Sequence, residues 1–231
     1  MKALREGLII LALLVIGAGL AWAFWTGMTE YTGARLAELA AARVPDSGVS
    51  NPVTSVLLNF RAYDTLLELA VLQAAILGIW SVGPARPGFL RAGAALRGLV
   101  AWMVPLLILA GGYMLWVGGH APGGAFQAGA LLGAAGVTLR LAGQHNAGLP
   151  SEPVLRLTVV LGVLVFTVTG LALMSVSGGF LTFPTEIAKW LILMIETAAT
   201  LSIGATLAAA YLGGRPAATA RAGSRRGGQR S

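Results

Sequence analysis

The chain has 231 residues, of which 56% are hydrophobic and 11% charged, with a formal net charge of +7 and a mean hydropathy of +0.78. Soluble domains carry roughly a quarter charged residues, so this composition excludes an ordinary water-soluble globule and makes the bilayer the expected solvent. Cysteine is absent and the only histidines are His120 and His145. That excludes disulfides, thiolate-held iron–sulfur clusters and a His/Cys zinc site; no metal or cofactor is expected, and redox chemistry belongs to other chains.

Six apolar runs follow one another at 8–25, 66–83, 99–118, 125–142, 154–174 and 189–212. Each is long enough to cross a membrane as a helix, and none alternates apolar with polar residues as a barrel strand would. The expected fold is all-α, a polytopic membrane protein with six transmembrane helices. For the first run a cleaved signal peptide is the alternative reading, because Lys2 and Arg5 precede it and Ala21-Trp22-Ala23 closes it.

Between the first two runs, Leu36, Leu39, Ala40 and Val44 recur at helical spacing among Arg35, Glu38 and Arg43. This predicts a short amphipathic helix on the outer surface. The second run is entered through Arg61, Asp64, Thr65 and Glu68, spaced three and four apart and so on one helix face. Arg61 can reach Asp64, which leaves Glu68, about one turn inside the apolar run, as the less compensated carboxylate. It is read as a proton- or cation-exchanging group, with an interfacial salt-bridge anchor as the alternative.

A linker at 84–98, containing Pro84, Pro87 and Gly88, separates this two-span part, 1–83, from a four-span part, 99–212. Gly111, Gly112, Gly129, Gly133 and Gly136 in the third and fourth runs predict close helix approach. Gln73 and Gln127 read as amides tying helices together. Between those two runs lies the turn Gly118-Gly119-His120-Ala121-Pro122-Gly123-Gly124, where His120 is either a proton relay or an interfacial loop residue. His145 falls in a polar loop at 143–148.

The last run carries Lys189 and Glu196, seven residues apart on one face and about 10 Å apart along the axis. Glu196 is expected near the midplane, facing a bundle interior or a hydrated path, and Lys189 is either a snorkelling anchor or part of that path. A basic Gly/Ala/Arg-rich tail, 213–231, follows and is expected to be flexible.

Twelve of the sixteen Lys and Arg residues fall on alternate loops: Lys2, Arg5, Arg86, Arg91, Arg97, Arg140, Arg156, Arg215, Arg221, Arg225, Arg226 and Arg230. Both termini are therefore expected to be cytoplasmic. The positive charge is a topology signal, and no nucleic acid is expected as a partner because the basic residues are not interleaved with stacking aromatics.

Two segments resemble known families. Gly119-His120-Ala121-Pro122-Gly123-Gly124-Ala125-Phe126-Gln127-Ala128-Gly129 resembles the His…Pro-Gly-Gly-Gly-Phe signature of the MnhB/MrpB family. It departs by a one-residue shortening between His and Pro and by Ala125 where a third Gly is usual. The stretch from Asn51 through Phe60-Arg61, Asp64-Thr65 and Glu68 resembles the C-terminal part of the MrpA antiporter subunit and its small counterpart MbhE.

The resemblance implies a fusion of an MbhE-like two-span module with an MnhB-like four-span module. It implies an accessory, non-enzymatic subunit of a multisubunit Na+/H+ antiporter of the Mrp type in a prokaryotic cell (inner or plasma) membrane. Its partners would be other membrane subunits, the lipid bilayer, H+ and Na+. Arg61 and Glu68 would take part in ion movement, with Asp64 and Thr65 beside them, and His120, Pro122, Gly123, Gly124 and Phe126 would form the motif turn. The alternatives are the membrane arm of an energy-converting hydrogenase or respiratory complex, and a purely structural subunit.

Overall fold

The computed structural model describes residues 2–29, 36–83, 92–143 and 149–212. The segment 84–91 of the linker, His145 and the tail 213–231 lie outside the described residues. The chain divides into two units, 1–39 and 40–231.

The first unit is dominated by α1 (Lys2–Thr29), apolar beyond its charged first turns, with none of its most apolar stretch buried within the protein. Its C-terminal end carries Trp22, Phe24 and Trp25, all exposed, the kind of aromatic belt that sits at a membrane boundary. The predicted short helix exists as α2 (Leu36–Arg43), which contains the boundary between the units and leads into a 3-10 turn, Val44–Ser47. Its apolar stripe is only partly covered, since Ala40 and Val44 are half-buried while Leu39 is exposed.

The second unit holds a short helix α3 (Pro52–Ser55) continued by a π-helical stretch, Val56–Phe60. Then come α4 (Ala62–Val82), α5 (Ala94–Val117), α6 (Ala125–Leu141), α7 (Glu152–Ser177) and α8 (Thr185–Leu212). Among the described residues every regular element is helical. Five helices, α1, α4, α5, α7 and α8, are long and apolar enough to cross a membrane. The remaining apolar run, at 125–142, forms α6, whose 17 residues extend about 25 Å, short for a span.

The architecture is organised by α8, which packs against α4, α5, α6 and α7. It is also the most enclosed of the spanning helices, with 61% of its most apolar stretch buried. The main core joins α4, α7 and α8 through Leu66, Leu69, Phe166, Leu173, Ile192, Ile195 and Ile203. A second cluster, Ile76, Leu155, Val159 and Ala209, closes the opposite end of the same three helices. Val100, Val104, Ala135 and Ala142 seal α5 against α6.

Without a hydrophobic driving force between helices in lipid, such packing depends on close approach of small residues. The expectation from the glycines holds for Gly111, Gly129 and Gly133, whose missing side chains make room for α6 or α8, and Gly136 is buried as well. A Cβ on Gly129 would stand 2.7 Å from the Cβ of Ile203, and one on Gly133 would stand 3.1 Å from that of Leu207. Gly112 is different: among the described residues no neighbouring helix comes within 4 Å of a Cβ placed on it.

Candidate functional site

The two segments singled out in the sequence meet at one end of the bundle. Asn51 caps α3 by accepting a hydrogen bond from the Val53 amide at 3.0 Å, and its side-chain nitrogen donates to the carbonyls of Gly118 (2.8 Å) and Ala121 (2.9 Å). The Thr54 hydroxyl also donates to Gly118 O at 2.6 Å, and the amides of Ser50 and Asn51 donate to Gly119 O. Residues 50–54 thus clamp the 118–121 turn. On the other side Gly48, at φ +72, fits against α8: a Cβ there would meet Ala188 Cβ at 2.7 Å.

Held in this way, the 118–124 turn folds back so that the Gly124 amide donates to Met114 O at 2.9 Å. Gly124 has φ +120, and a Cβ on it would lie 3.0 Å from Glu196 Oε1 and 3.6 Å from Gln127 Oε1. Glu196 is buried, 4% exposed, and its carboxylate takes the backbone amide of Ala125 as a hydrogen-bond partner at the first turn of α6. That is the helix end at which negative charge is favoured. Because Glu196 lies eleven residues into α8, about 16 Å from its start, α6 begins well inside the bundle. This accounts for its short length.

A cavity of about 30 Å³ opens above the carboxylate, lined by Val49, Trp116, Gly119, His120, Lys189 and Glu196 with two residues of α8 between them. Lys189 and Glu196 share a helix face, as their spacing requires, and His120 joins them from the turn. His120 and Lys189 are exposed at the rim. The Lys189 ammonium lies over the Trp190 ring, 5.9 Å from its centroid, and makes no ion pair with Glu196. Pro122 and Phe126 are exposed, and Gly123 is half-buried.

The remaining candidates stand apart from this cavity. Arg61 is the residue on which the helix breaks, with φ −125 and ψ 32 between the π-helical stretch and α4. It pairs with Asp64, as expected, and both side chains are largely exposed. Thr65 turns inward and its hydroxyl donates to Leu57 O at 2.7 Å, satisfying a carbonyl that the break removes from the regular helical ladder. Glu68 is exposed, between Leu67 and Val71, also exposed, and among the described residues it has no ion-pair partner. The expected shared face is therefore divided, with Thr65 inside and Glu68 outside. Thr65→Val is expected to cost about 1 kcal/mol, visible as a small drop in the melting temperature of the detergent-solubilised protein that Thr65→Ser restores; an unchanged melting temperature would remove the role given to this hydrogen bond.

Sequence reasoning missed the helical segment 52–60 and the clamp it makes. Asn51 followed by Pro52 is a helix-start signal, but its partners lie 67 and 70 residues away.

The chain is thus a helical membrane protein in which a glycine turn and Val49 border a cavity over a buried carboxylate. Residues 95–214 match the family model described as a domain related to the MnhB subunit of the Na+/H+ antiporter, and the chain belongs to that family. Residues 3–87 match the family model of MbhE, a subunit of MBH. A Methanocaldococcus jannaschii protein, MJ1307, is 30% identical over 166 residues, covering 60% of this chain and 62% of its own length. Among solved structures, the Mrp complex from Dietzia sp. DQ12-45-1b contains a chain 26% identical, with a TM-score of 0.65; the match covers 93% of this chain and 26% of that one. The membrane-bound sulfane sulfur reductase, an archaeal respiratory membrane complex, contains one 24% identical, with a TM-score of 0.64, covering 89% and 96% respectively. The present chain thus spans less than two thirds of the M. jannaschii relative and about a quarter of the Mrp chain.

Proposed function

We propose that the protein is an accessory subunit of a multisubunit monovalent cation/proton antiporter in a prokaryotic cell membrane, lying with both termini in the cytoplasm. On this reading residues 1–83 and 99–212 act as two modules joined by the 84–98 linker, and the 118–124 turn faces outward. Partners are other membrane subunits of the complex, and the ions are H+ and Na+.

The observation that carries this reading is Glu68. Six residues into α4, about 9 Å from its start, it presents a carboxylate on the outward side of a spanning helix between exposed apolar neighbours. An ionised group in hydrocarbon costs about 2.5–3.5 kcal/mol at mid-helix, so this face is built to meet another subunit or a hydrated passage formed with one. Glu68 exchanges the ion there, while the Arg61–Asp64 pair at the helix entrance and Thr65 hold the break that orients it. The match of residues 95–214 to the MnhB-related family supports the antiporter reading, and Glu68 itself lies in the segment that matches MbhE.

Glu68→Gln is expected to abolish sodium-dependent pH change in everted vesicles while the complex still assembles. Normal exchange in that variant would refute the role of Glu68. Copurification with iron–sulfur or quinone-binding subunits would instead make the chain part of a respiratory membrane arm.

A further inference from the structure

The cavity above Glu196 is separate from Glu68 and unused by the function just described. We infer that it is an outward-facing proton port, in which water held between His120 and Glu196 carries protons to a buried carboxylate and excludes Na+. This deepens the antiporter reading and rests on it for the direction of flow.

Three observations support it. First, about 30 Å³ is room for one or two water molecules, and the polar side chains that line the site are those of the buried Glu196 and the exposed His120 and Lys189. Second, the donor set is wrong for a dehydrated hard cation, which requires a shell of oxygens. Gly119 O already accepts two amides from the clamp, and the Lys189 charge opposes a second cation. Third, a second buried polar group lies on the same helix: Thr200, one turn beyond Glu196, is 3% exposed, and among the described residues its hydroxyl has no hydrogen-bond partner. Thr197 on the same helix instead donates to the carbonyl four residues back, at 2.7 Å.

The charged and titratable groups around the carboxylate are thus Lys189 of α8 and His120 of the turn. Gln127 of α6 adds a neutral amide, and α5 and the 47–51 segment contribute Trp116 and Val49. In the transfer, an imidazolium N–H proton of His120 passes to water, and a water proton passes to the Glu196 carboxylate. This leaves a neutral imidazole and a neutral carboxylic acid; the reverse sequence releases the proton.

The test uses dicyclohexylcarbodiimide, which adds to protonated carboxyls, on the intact complex in its membrane, with the labelled peptide read by mass spectrometry. Labelling at Glu196 is expected to fall as pH rises, to be unchanged by Na+ at fixed pH, and to be lost in Glu196→Gln. His120→Gln should keep the label and slow sodium-driven proton movement severalfold. Protection by Na+ would overturn the inference in favour of a cation site. Absence of label at every pH would overturn it in favour of a purely structural helix cap, and an unchanged proton rate in His120→Gln would remove the relay. Labelling requires no antiport, so its outcome is independent of the Glu68 test.

Discussion

Gly129→Leu is expected to leave little intact protein in the membrane. The α6–α8 contact is the most extensive in the bundle, and at Gly129 the two backbones approach so closely that even a methyl group would fall 2.7 Å from Ile203 Cβ and 3.2 Å from Thr200 O. Backbone cannot yield as a flexible side-chain tip can. Overpacking a tight core typically costs 1–3 kcal/mol, and a four-carbon side chain at this site is placed at about 3 kcal/mol or above. Gly133 and Gly204 share the seam, and a Cβ on Gly204 would meet Leu132 Cβ at 3.0 Å, so rotating α6 transfers the clash without relieving it. The control is Gly112→Leu, on the open face of α5, where the change should stay within about 0.5 kcal/mol. Fluorescence-detected size-exclusion of detergent extracts compares the two; equal recovery of folded protein would refute the packing argument.

The second large effect is expected at Asn51. Replacement by Asp keeps the oxygen that accepts from Val53 N but exchanges the two N–H donations to Gly118 O and Ala121 O for a negative charge facing carbonyl dipoles. The site is buried, Asn51 being 5% exposed, so the loss is expected at about 2–4 kcal/mol, combining two hydrogen bonds with an unpaired carboxylate. Asn51→Ser keeps a cap and adds no charge, and is expected to lose about half as much. If Asn51→Asp melts with the unaltered protein, the helix cap alone matters and the clamp on the turn does not.

How much was legible in the sequence follows the range of each interaction. The apolar runs gave the helices, because lipid leaves a backbone no other way to satisfy its amides; the run at 154–174 became Glu152–Ser177 and that at 189–212 became Thr185–Leu212. The shared helix face of Lys189 and Glu196 and the pairing of Arg61 with Asp64 followed from helical spacing within one segment. Burial did not. Glu68 and Glu196 both interrupt apolar helices, yet one is exposed and the other enclosed, since local sequence does not record which neighbours a helix face will meet. The same limit separates Gly111 from Gly112. The meeting of Asn51 with Gly118, and of His120 with Glu196, depends on contacts across 67 and 76 positions of chain, and no periodicity reports these. Nor does the count of apolar runs show that α6 starts at the depth of a buried carboxylate.

The central position of α8 has a consequence for biosynthesis. It is made after α4, α5, α6 and α7, and it is the helix on which they converge. As the chain leaves the ribosome, the glycine seam of α6 and the inner face of α7 enter the membrane before their partner exists. Until Thr185–Leu212 is inserted, those faces are covered by lipid or by a neighbouring subunit. The bundle therefore closes at a single late step, and a defect in α8 is felt by every helix inserted before it.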